Sequence, residues 1–514
     1  MSKQSLMTGA LTILSASLIT RILGFVFRIY LSNQLGAEGM GLYQLVLSLY
    51  MLVVTFATSG ISVAVSRMVA EQLEINRYGG TRTILRMAVG YSLLVSMAAA
   101  MFLFLFAAPI GNLILKDSRT ILSLRCLAPS LPFMAVSSCI KGYFYALRNS
   151  FKPSSATVIE QLAKMSFILA IIGLWLPYGD TYACAAAVLG MTVGEIISCA
   201  YVVATYYTDS SRKLQKNAKQ KSVLREIVAI SLPIQTSSTF HSLLRLAENL
   251  LILSGLRAFT GGDSAAAIAG YGILKGMVLP LLMFPTSFLQ AIVTVLIPEV
   301  AGANACGNQK MVYRAVCKTL QLTLLMGIGI TGIFFLFPQQ IGDILYHDPL
   351  VGAMLGKLCL ICPLMYLEMV TVGILNAIGE QIAPMRYNIA DSLLRICLIF
   401  FFVPTGGMDA FLWIMVASNL FTSLLNLRRL LRVTKISFRW FDWLVKPGLA
   451  AAAAAIPAGL IQTVLSCSGS LWVSVVIGAV ASVAVYFLLL FPLGCLSRRE
   501  LDWFKSSLQR NPRC

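Results

Sequence analysis

The residues able to do chemistry in this chain are a few charged side chains set inside long apolar runs. Arg21 and Arg28 lie in the stretch TRILGFVFRIYLSNQLGAEGMGLY, residues 20–43, within an apolar run that begins near Met7 and reaches about Leu31. A charge deep in a bilayer is disfavoured by roughly 2.5–3.5 kcal/mol on insertion scales, so it faces a protein interior or a wet cavity. Seven residues make about two helical turns, which puts both arginines on one face about 10 Å apart, with room left by Gly24 between them. Arg245 and Lys275 are further cations in apolar surroundings. Arginine binds phosphate as a flat fork and lysine as a point charge, so Arg21, Arg28, Arg245 and Lys275 form a candidate cationic substrate-binding set. The alternatives are a structural pairing of Arg21 with a buried carboxylate, snorkelling of Arg28, and an ion pair of Arg245 with Glu248 three residues on.

The carboxylates fall into two groups. Glu160/Lys164 and Asp391/Arg395 have the acid-before-base i, i+4 spacing, which suits either a self-neutralising structural pair or a gate that breaks when the protein changes state. Glu195 and Glu368 have no partner at helical spacing. Each is either paired in three dimensions or held protonated, and with Glu248 they are candidates for ion coupling.

These charges need elements that cross a membrane. Of 514 residues 58% are hydrophobic and 12% charged, against about 25% charged in a soluble domain. The net charge of +19 would suggest nucleic acid in a soluble protein, but lysine and arginine gather in cytoplasmic loops of membrane proteins, and no nucleic-acid partner is expected. Most of the 12 cysteines, such as Cys139, Cys184, Cys199 and Cys397, sit in apolar runs as small hydrophobes. The pair Cys359 and Cys362 has no second pair, His241 and His347 are far apart, and no metal site is expected. The N-terminal run reads as a retained helix and not a signal peptide.

The hydropathy pattern predicts an all-α polytopic fold of 14 transmembrane helices, at roughly 8–33, 41–66, 87–110, 121–146, 155–177, 182–206, 227–255, 266–297, 315–337, 351–377, 386–404, 409–427, 443–465 and 471–495. Alternate loops differ sharply in basic residues. One set carries clusters such as Arg77, Arg82 and Arg86 or Arg428, Arg429 and Arg432, while the other offers Lys116, Arg119 and Arg257 beside acids such as Glu38 and Asp180. Both termini are therefore expected in the cytoplasm of a multi-pass cell-membrane protein.

An internal repeat organises the spans. A shift of about 228 residues places Tyr43 on Tyr271 and Glu71 on Glu299, and one of about 231 places Pro132 on Pro363, Glu160 on Asp391 and Lys164 on Arg395. Six helices per copy gives parallel lobes: an N-lobe at 1–207, a basic linker at 208–225, a C-lobe at 226–440, helices 13 and 14 at 441–496, and a basic tail at 497–514. Transporters built this way bind substrate near the midplane at the seam of the repeats. Pro280, Pro285 and Pro298 predict a kinked eighth span.

The opening segment, with its R-x-x-G-x-x-x-R from Arg21 to Arg28 followed by LGAEGMGLY, resembles the stage V sporulation protein B branch of the polysaccharide exporters, in the multidrug/oligosaccharidyl-lipid/polysaccharide (MOP) superfamily. The six-plus-six-plus-two plan extends the likeness over the whole chain. The resemblance implies a flippase for a lipid-linked oligosaccharide, most directly the peptidoglycan precursor lipid II in cell-wall or spore-cortex synthesis. It also implies alternating access, a cationic central cavity and a groove near helices 13 and 14 for the polyprenyl tail. Arg21 and Arg28 match the helix-1 arginines of lipid II flippases, whereas the further cavity arginines of those proteins on helices 2 and 8 have no match before Arg67 and only Lys275.

No enzyme activity and no cofactor are expected, with coupling to protons, sodium or the membrane potential. Membrane lipids and the substrate are the expected partners, cell-wall synthesis proteins are candidates, and a monomer is favoured. Competing expectations are a flippase for another polyprenyl-linked polysaccharide unit, a cation-coupled multidrug exporter of the same fold, and a membrane-embedded glycosyltransferase or ligase. Acids would dominate the cavity of such an exporter, and the enzyme would carry acidic or histidine chemistry in polar loops.

Overall fold

The computed structural model describes residues 3–74, 78–209, 223–466 and 471–495. Most of the basic linker, 210–222, and the expected basic tail lie outside these residues. The described chain is helical, and among its residues there is no strand. A bilayer offers the backbone no hydrogen-bonding partner, so each span must satisfy its own amides as a helix.

The first unit of the chain contains α1 (Lys3–Thr58), α2 (Ile61–Glu74), α3 (Tyr78–Leu105), α4 (Thr120–Leu127), α5 (Ser130–Ala146), α6 (Phe151–Trp175), α7 (Asp180–Thr208), α8 (Val223–Phe259) and α9 (Ser264–Gly272). The second contains a π-helical turn, Ile273–Val278, then α10 (Leu279–Met283), α11 (Thr286–Ala305), α12 (Gln309–Leu336), α13 (Pro338–Tyr346), α14 (Pro349–Leu358), α15 (Cys362–Ala377), α16 (Ile382–Thr434), α17 (Lys446–Ser466) and α18 (Leu471–Leu490).

Nine helices among the described residues are long and apolar enough to cross a membrane. Two of these stretches, Leu18–Glu74 and Ile382–Thr434, are far longer than one crossing needs, since about 20 residues span the hydrocarbon core. Each breaks at a glycine in the left-handed region, Gly36 (φ 68°) and Gly407 (φ 59°), where a side chain would be strained. Counting each as two crossings, and adding α8, α17 and α18, gives an arrangement consistent with 14 spans. The eighth span is interrupted as its prolines require: α9 passes into the π turn, Pro280 opens α10, and Pro285 separates α10 from α11.

Packing draws the unit boundary at Gly272. The repeat describes two copies of a sequence, and the units describe which helices touch. Thus α8 and α9, early members of the second sequence copy, pack on α1 in the first unit. That unit's core brings together Ile61, Val65, Tyr143, Phe144 and Ile227, and the second unit's core gathers Val316, Leu320, Val370, Leu375, Leu430 and Trp443. Outside these cores the surface stays apolar. Phe400, Phe401, Phe402 and Trp413 of α16 are all more than half exposed, as lipid-facing residues are.

Candidate functional site

In the first unit the break at Gly36 divides α1 into two limbs. Gly24 lies against α6, where a Cβ would come 2.9 Å from Gln161 Nε2. Gly39 sits beside Asp180 at the start of α7. Arg21 and Arg28 are carried on the first limb. Arg21 is exposed, and Arg28 is half-buried, close enough to the Tyr43 phenol of the second limb and the Lys164 ammonium of α6 to interact electrostatically with both. No ion pair holds Arg28 or Lys164 among the described residues. Two cations thus approach one another inside the apolar layer.

Beside them lies a carboxyl cluster. Gly190 and Gly194 let α7 close onto α6, and a Cβ at Gly194 would meet the Glu160 carbonyl at 2.9 Å and the Lys164 Cβ at 3.1 Å. This approach seats Glu195, 7% exposed, close enough to the Glu160 carboxylate to interact with it electrostatically. Glu160 forms its ion pair with Lys141 of α5 at 3.7 Å, across helices and not along its own. Sequence reasoning missed Lys141. The signal was present, a lysine inside an apolar span, but its acid is on the next helix, where spacing rules along one helix do not look.

The second unit holds a related cluster. Asp391 and Arg395 form the i, i+4 pair at 3.1 Å, and Asp391 also accepts a hydrogen bond from Ser418 Oγ at 2.6 Å. Glu368 accepts one from Thr422 Oγ1 at 3.1 Å, so the partner that helical spacing did not supply comes from α16. Glu248 on α8 is buried at 6% exposure near Tyr271. Lys275 stands within the π turn, a motif that recurs at functional sites. Arg245 lies on α8 in the first unit.

At the end opposite the basic loops, charges and glycines tie the first unit together. The Arg119 guanidinium donates to Asp117 at 2.9 Å and to Glu38 at 2.7 Å, and these hydrogen bonds, Asp117 first, push its pKa still higher. Here α1 crosses α9 without intervening side chains. A Cβ on Gly41 would collide with the Ile268 carbonyl, and one on Gly272 with the Ala37 carbonyl and Gly41. Toward the other end of the second limb, Gln235 Nε2 of α8 donates to the Phe56 carbonyl, and Ser242 Oγ donates to Thr55 Oγ1 at 3.1 Å.

The second unit also carries a cavity of about 270 Å³ where α12 meets α17 and α18. Its walls include Met326, Gly329, Ile333, Ala451, Ala454 and Tyr486. The polar groups in the wall are satisfied within the protein, Tyr486 Oη by the Leu325 carbonyl and Ser482 Oγ by the Gly478 carbonyl. Such a chamber suits a hydrocarbon chain. Among the described residues no cluster of His, Cys, Asp or Glu could hold a metal ion.

The helical membrane scaffold that carries this cationic face and apolar chamber has the fold of the MOP-superfamily transporters. The chain belongs to the family described as "Polysaccharide biosynthesis protein", whose profile matches residues 6–302, and a MatE profile matches residues 251–401. Among curated relatives, "Stage V sporulation protein B" of Bacillus subtilis (strain 168) is 26% identical over 98% of both chains. "Lipid II flippase MurJ" of the same organism is 24% identical over 67% of this chain and 65% of its own. Of solved structures, "Lipid II flippase MurJ, inward closed conformation" aligns with a TM-score of 0.67 at 14% identity, covering 97% of this chain and 99% of that one. An inward-facing multidrug resistance MATE transporter aligns at 0.64 with 15% identity, over 84% of this chain and 100% of its own. These two likenesses concern the fold. The chain is a homologue of the sporulation protein, a multi-pass membrane protein with a MOP-type transporter fold.

Proposed function

We propose that this protein is an alternating-access flippase for a lipid-linked oligosaccharide, with lipid II as the favoured substrate, acting across the cell membrane with both termini cytoplasmic. One observation carries this reading: Lys164 feels both the Glu160 carboxylate, whose ion pair goes to Lys141, and the Arg28 guanidinium, so that cations gather within the apolar spans with no ion pair to Arg28 or Lys164 among the described residues. Like charges in a low-dielectric layer repel strongly, and an anion between them reverses the sign of that energy. A pyrophosphate is such an anion, and arginine binds it through paired hydrogen bonds. Hydrocarbon cannot hydrate a pyrophosphate-linked sugar, so the cationic face replaces lost water. The apolar chamber at α12, α17 and α18 is suited to the polyprenyl tail. The tight crossing of α1 with α9 serves as the outer closure. Arg21, Arg245 and Lys275 belong to the proposed substrate path, and the Asp391–Arg395 pair to its gating. Coupling goes with a proton, sodium or the membrane potential, with Glu195, Glu248 and Glu368 as candidates.

The test is reconstitution into vesicles with defined polyprenyl-linked sugars, reading which headgroup appears on the far leaflet. Arg21→Ala and Arg28→Ala are expected to reduce transport at least tenfold at unchanged expression. Wild-type rates in both variants would remove the cationic face from the mechanism. The MatE match over residues 251–401 favours one second reading, a cation-coupled exporter of amphiphilic compounds. Efflux of an organic cation, with no movement of any polyprenyl lipid, would select it.

A further inference from the structure

The second limb of α1 meets α8 along a stripe of neutral polar residues. On α8, Ser231, Gln235, Thr239 and Ser242 recur every three or four residues, the spacing of one helical face, and Thr55 of α1 stands one turn from Ser59, just past the end of that helix. Gly60 lets the helices close, for a Cβ there would meet the Ser231 carbonyl at 2.6 Å. Gln235 Nε2 donates to the Phe56 carbonyl, and Ser242 Oγ donates to Thr55 Oγ1 at 3.1 Å. Four groups along the stripe are left over. Ser59 Oγ, Ser231 Oγ, Thr239 Oγ1 and Gln235 Oε1 are buried with no hydrogen bond among the described residues, and Ser231 and Gln235 as whole residues are 0% and 5% exposed. Folded proteins seldom leave such groups unmet, and polar side chains between membrane helices ordinarily bond across the interface. We propose that these two faces form a carbohydrate-binding subsite, shut on itself in this state, that takes the sugar of the lipid-linked headgroup.

The chemistry of the unmet groups selects the ligand. Three are hydroxyls, which both donate and accept a hydrogen bond, and the fourth is an amide oxygen, which accepts. Sugar hydroxyls also do both, so the set matches the edge of a polyol. Thr55, Ser59, Ser231, Gln235, Thr239 and Ser242 include no charged residue. A sodium ion held by them would keep its full charge in the apolar layer with no carboxylate among them to offset it, and a phosphate would meet no cation. The stripe then leads to a charge where the ligand has one. Arg245, three residues past Ser242, lies on the same side of α8 to within about 60° and belongs to the proposed substrate path. In a lipid-linked headgroup the first sugar is attached directly to the pyrophosphate, so hydroxyl-binding groups one turn from an arginine follow the order of the ligand. Parting the faces breaks the hydrogen bonds at Phe56 and Thr55 and opens the unmet groups to a sugar.

The subsite rests on the reading of this protein as a flippase, and the experiment separates the two. The full chain in lipid nanodiscs is titrated with a polyprenyl pyrophosphate and with the same lipid carrying an N-acetylhexosamine disaccharide. The wild type is expected to bind the glycosylated lipid more tightly than the bare one. Thr239→Val and Ser59→Ala are each expected to weaken the glycosylated lipid about three- to tenfold, the scale of one net hydrogen bond, and to leave the bare lipid unchanged. Each removes a buried group that has no partner, so the empty variants should unfold at or above the wild-type temperature. A second measurement closes the seam: Thr55→Cys with Ser242→Cys, in a background without native cysteines, joins the faces on oxidation. It is expected to lower the affinity for the glycosylated lipid to that for the bare lipid until reductant is added. Equal affinity of the two lipids in the wild type, or the same loss for both in the variants, overturns the subsite and leaves the flippase reading standing. Unchanged binding of the glycosylated lipid in the variants means that the groups serve water only, and a lower unfolding temperature of the empty variants marks them as structural; either result overturns the subsite. No binding of either lipid overturns the flippase reading and the subsite with it.

Discussion

Arg119 shows how a residue gains meaning only when its neighbours are in place. In the sequence it is one of the few basic residues of the sparsely charged loops, useful for orienting the chain. In the structure it joins Glu38, two residues beyond the break of α1, to Asp117 ahead of α4. Asp117 is 9% exposed and takes both the Arg119 amide and the guanidinium, whereas the Glu38 side chain is about a third exposed. Asp117→Ala is therefore expected to cost about 1–3 kcal/mol by stranding partly buried donors. Glu38→Gln should cost at most about 1 kcal/mol, as screened pairs do. Thermal unfolding in detergent checks the order, and an equal or reversed pair of losses would show that Asp117 does not anchor this cluster. The same contrast explains what was legible. Arg21, Arg28, Glu195 and Glu368 could be read because a charge in an apolar run is conspicuous by itself. Lys141 pairing with Glu160, and Thr422 serving Glu368, depend on which helices lie side by side.

Between elements, the contacts that matter are made by residues with the least side chain. Gly41 and Gly272 let the backbones of α1 and α9 touch, and Gly60 does the same for the α1–α2 break against Ser231 of α8. Backbone atoms cannot rotate aside as a flexible side chain does, so a larger residue must push the helices apart. Gly272→Leu is expected to hold the crossing open and to slow transport at least tenfold. In a background without native cysteines, it should also raise labelling of Met40→Cys, a position with no exposure in the wild type, by a membrane-impermeant maleimide. Gly90→Leu, at a glycine with nothing nearby, serves as the control. Unchanged labelling at position 40 would mean that this crossing does not close the outer end. The sequence revealed the glycines of LGAEGMGLY as a motif. It could not reveal their purpose, because the Ile268 carbonyl that forbids a Cβ at Gly41 lies more than 200 residues away.

At the scale of the whole molecule, the all-helical multi-pass fold was legible in the hydropathy pattern, since the length of an apolar span is set by the bilayer and needs no contact map. Helix contacts divide the chain at Gly272, a division of packing that is distinct from the division of the sequence into repeats. The break at Gly36 bears on a problem that precedes transport altogether, which is how such a chain enters the bilayer during synthesis. A span bearing Arg21 and Arg28 is a poor candidate for insertion alone, as each charge costs roughly 2.5–3.5 kcal/mol near the helix centre. Because the two limbs of α1 meet at a single residue, the strongly apolar second limb follows the first within a few residues, and the ribosome delivers both as a helical hairpin. The second limb can then shield the arginines as they leave water. Nascent chains halted in a translation reaction are expected to remain extractable by alkaline carbonate when only the limb before Gly36 has emerged, and to become integral once residue 66 is out. Integration of the shorter chain alone would show that the arginines need no such escort.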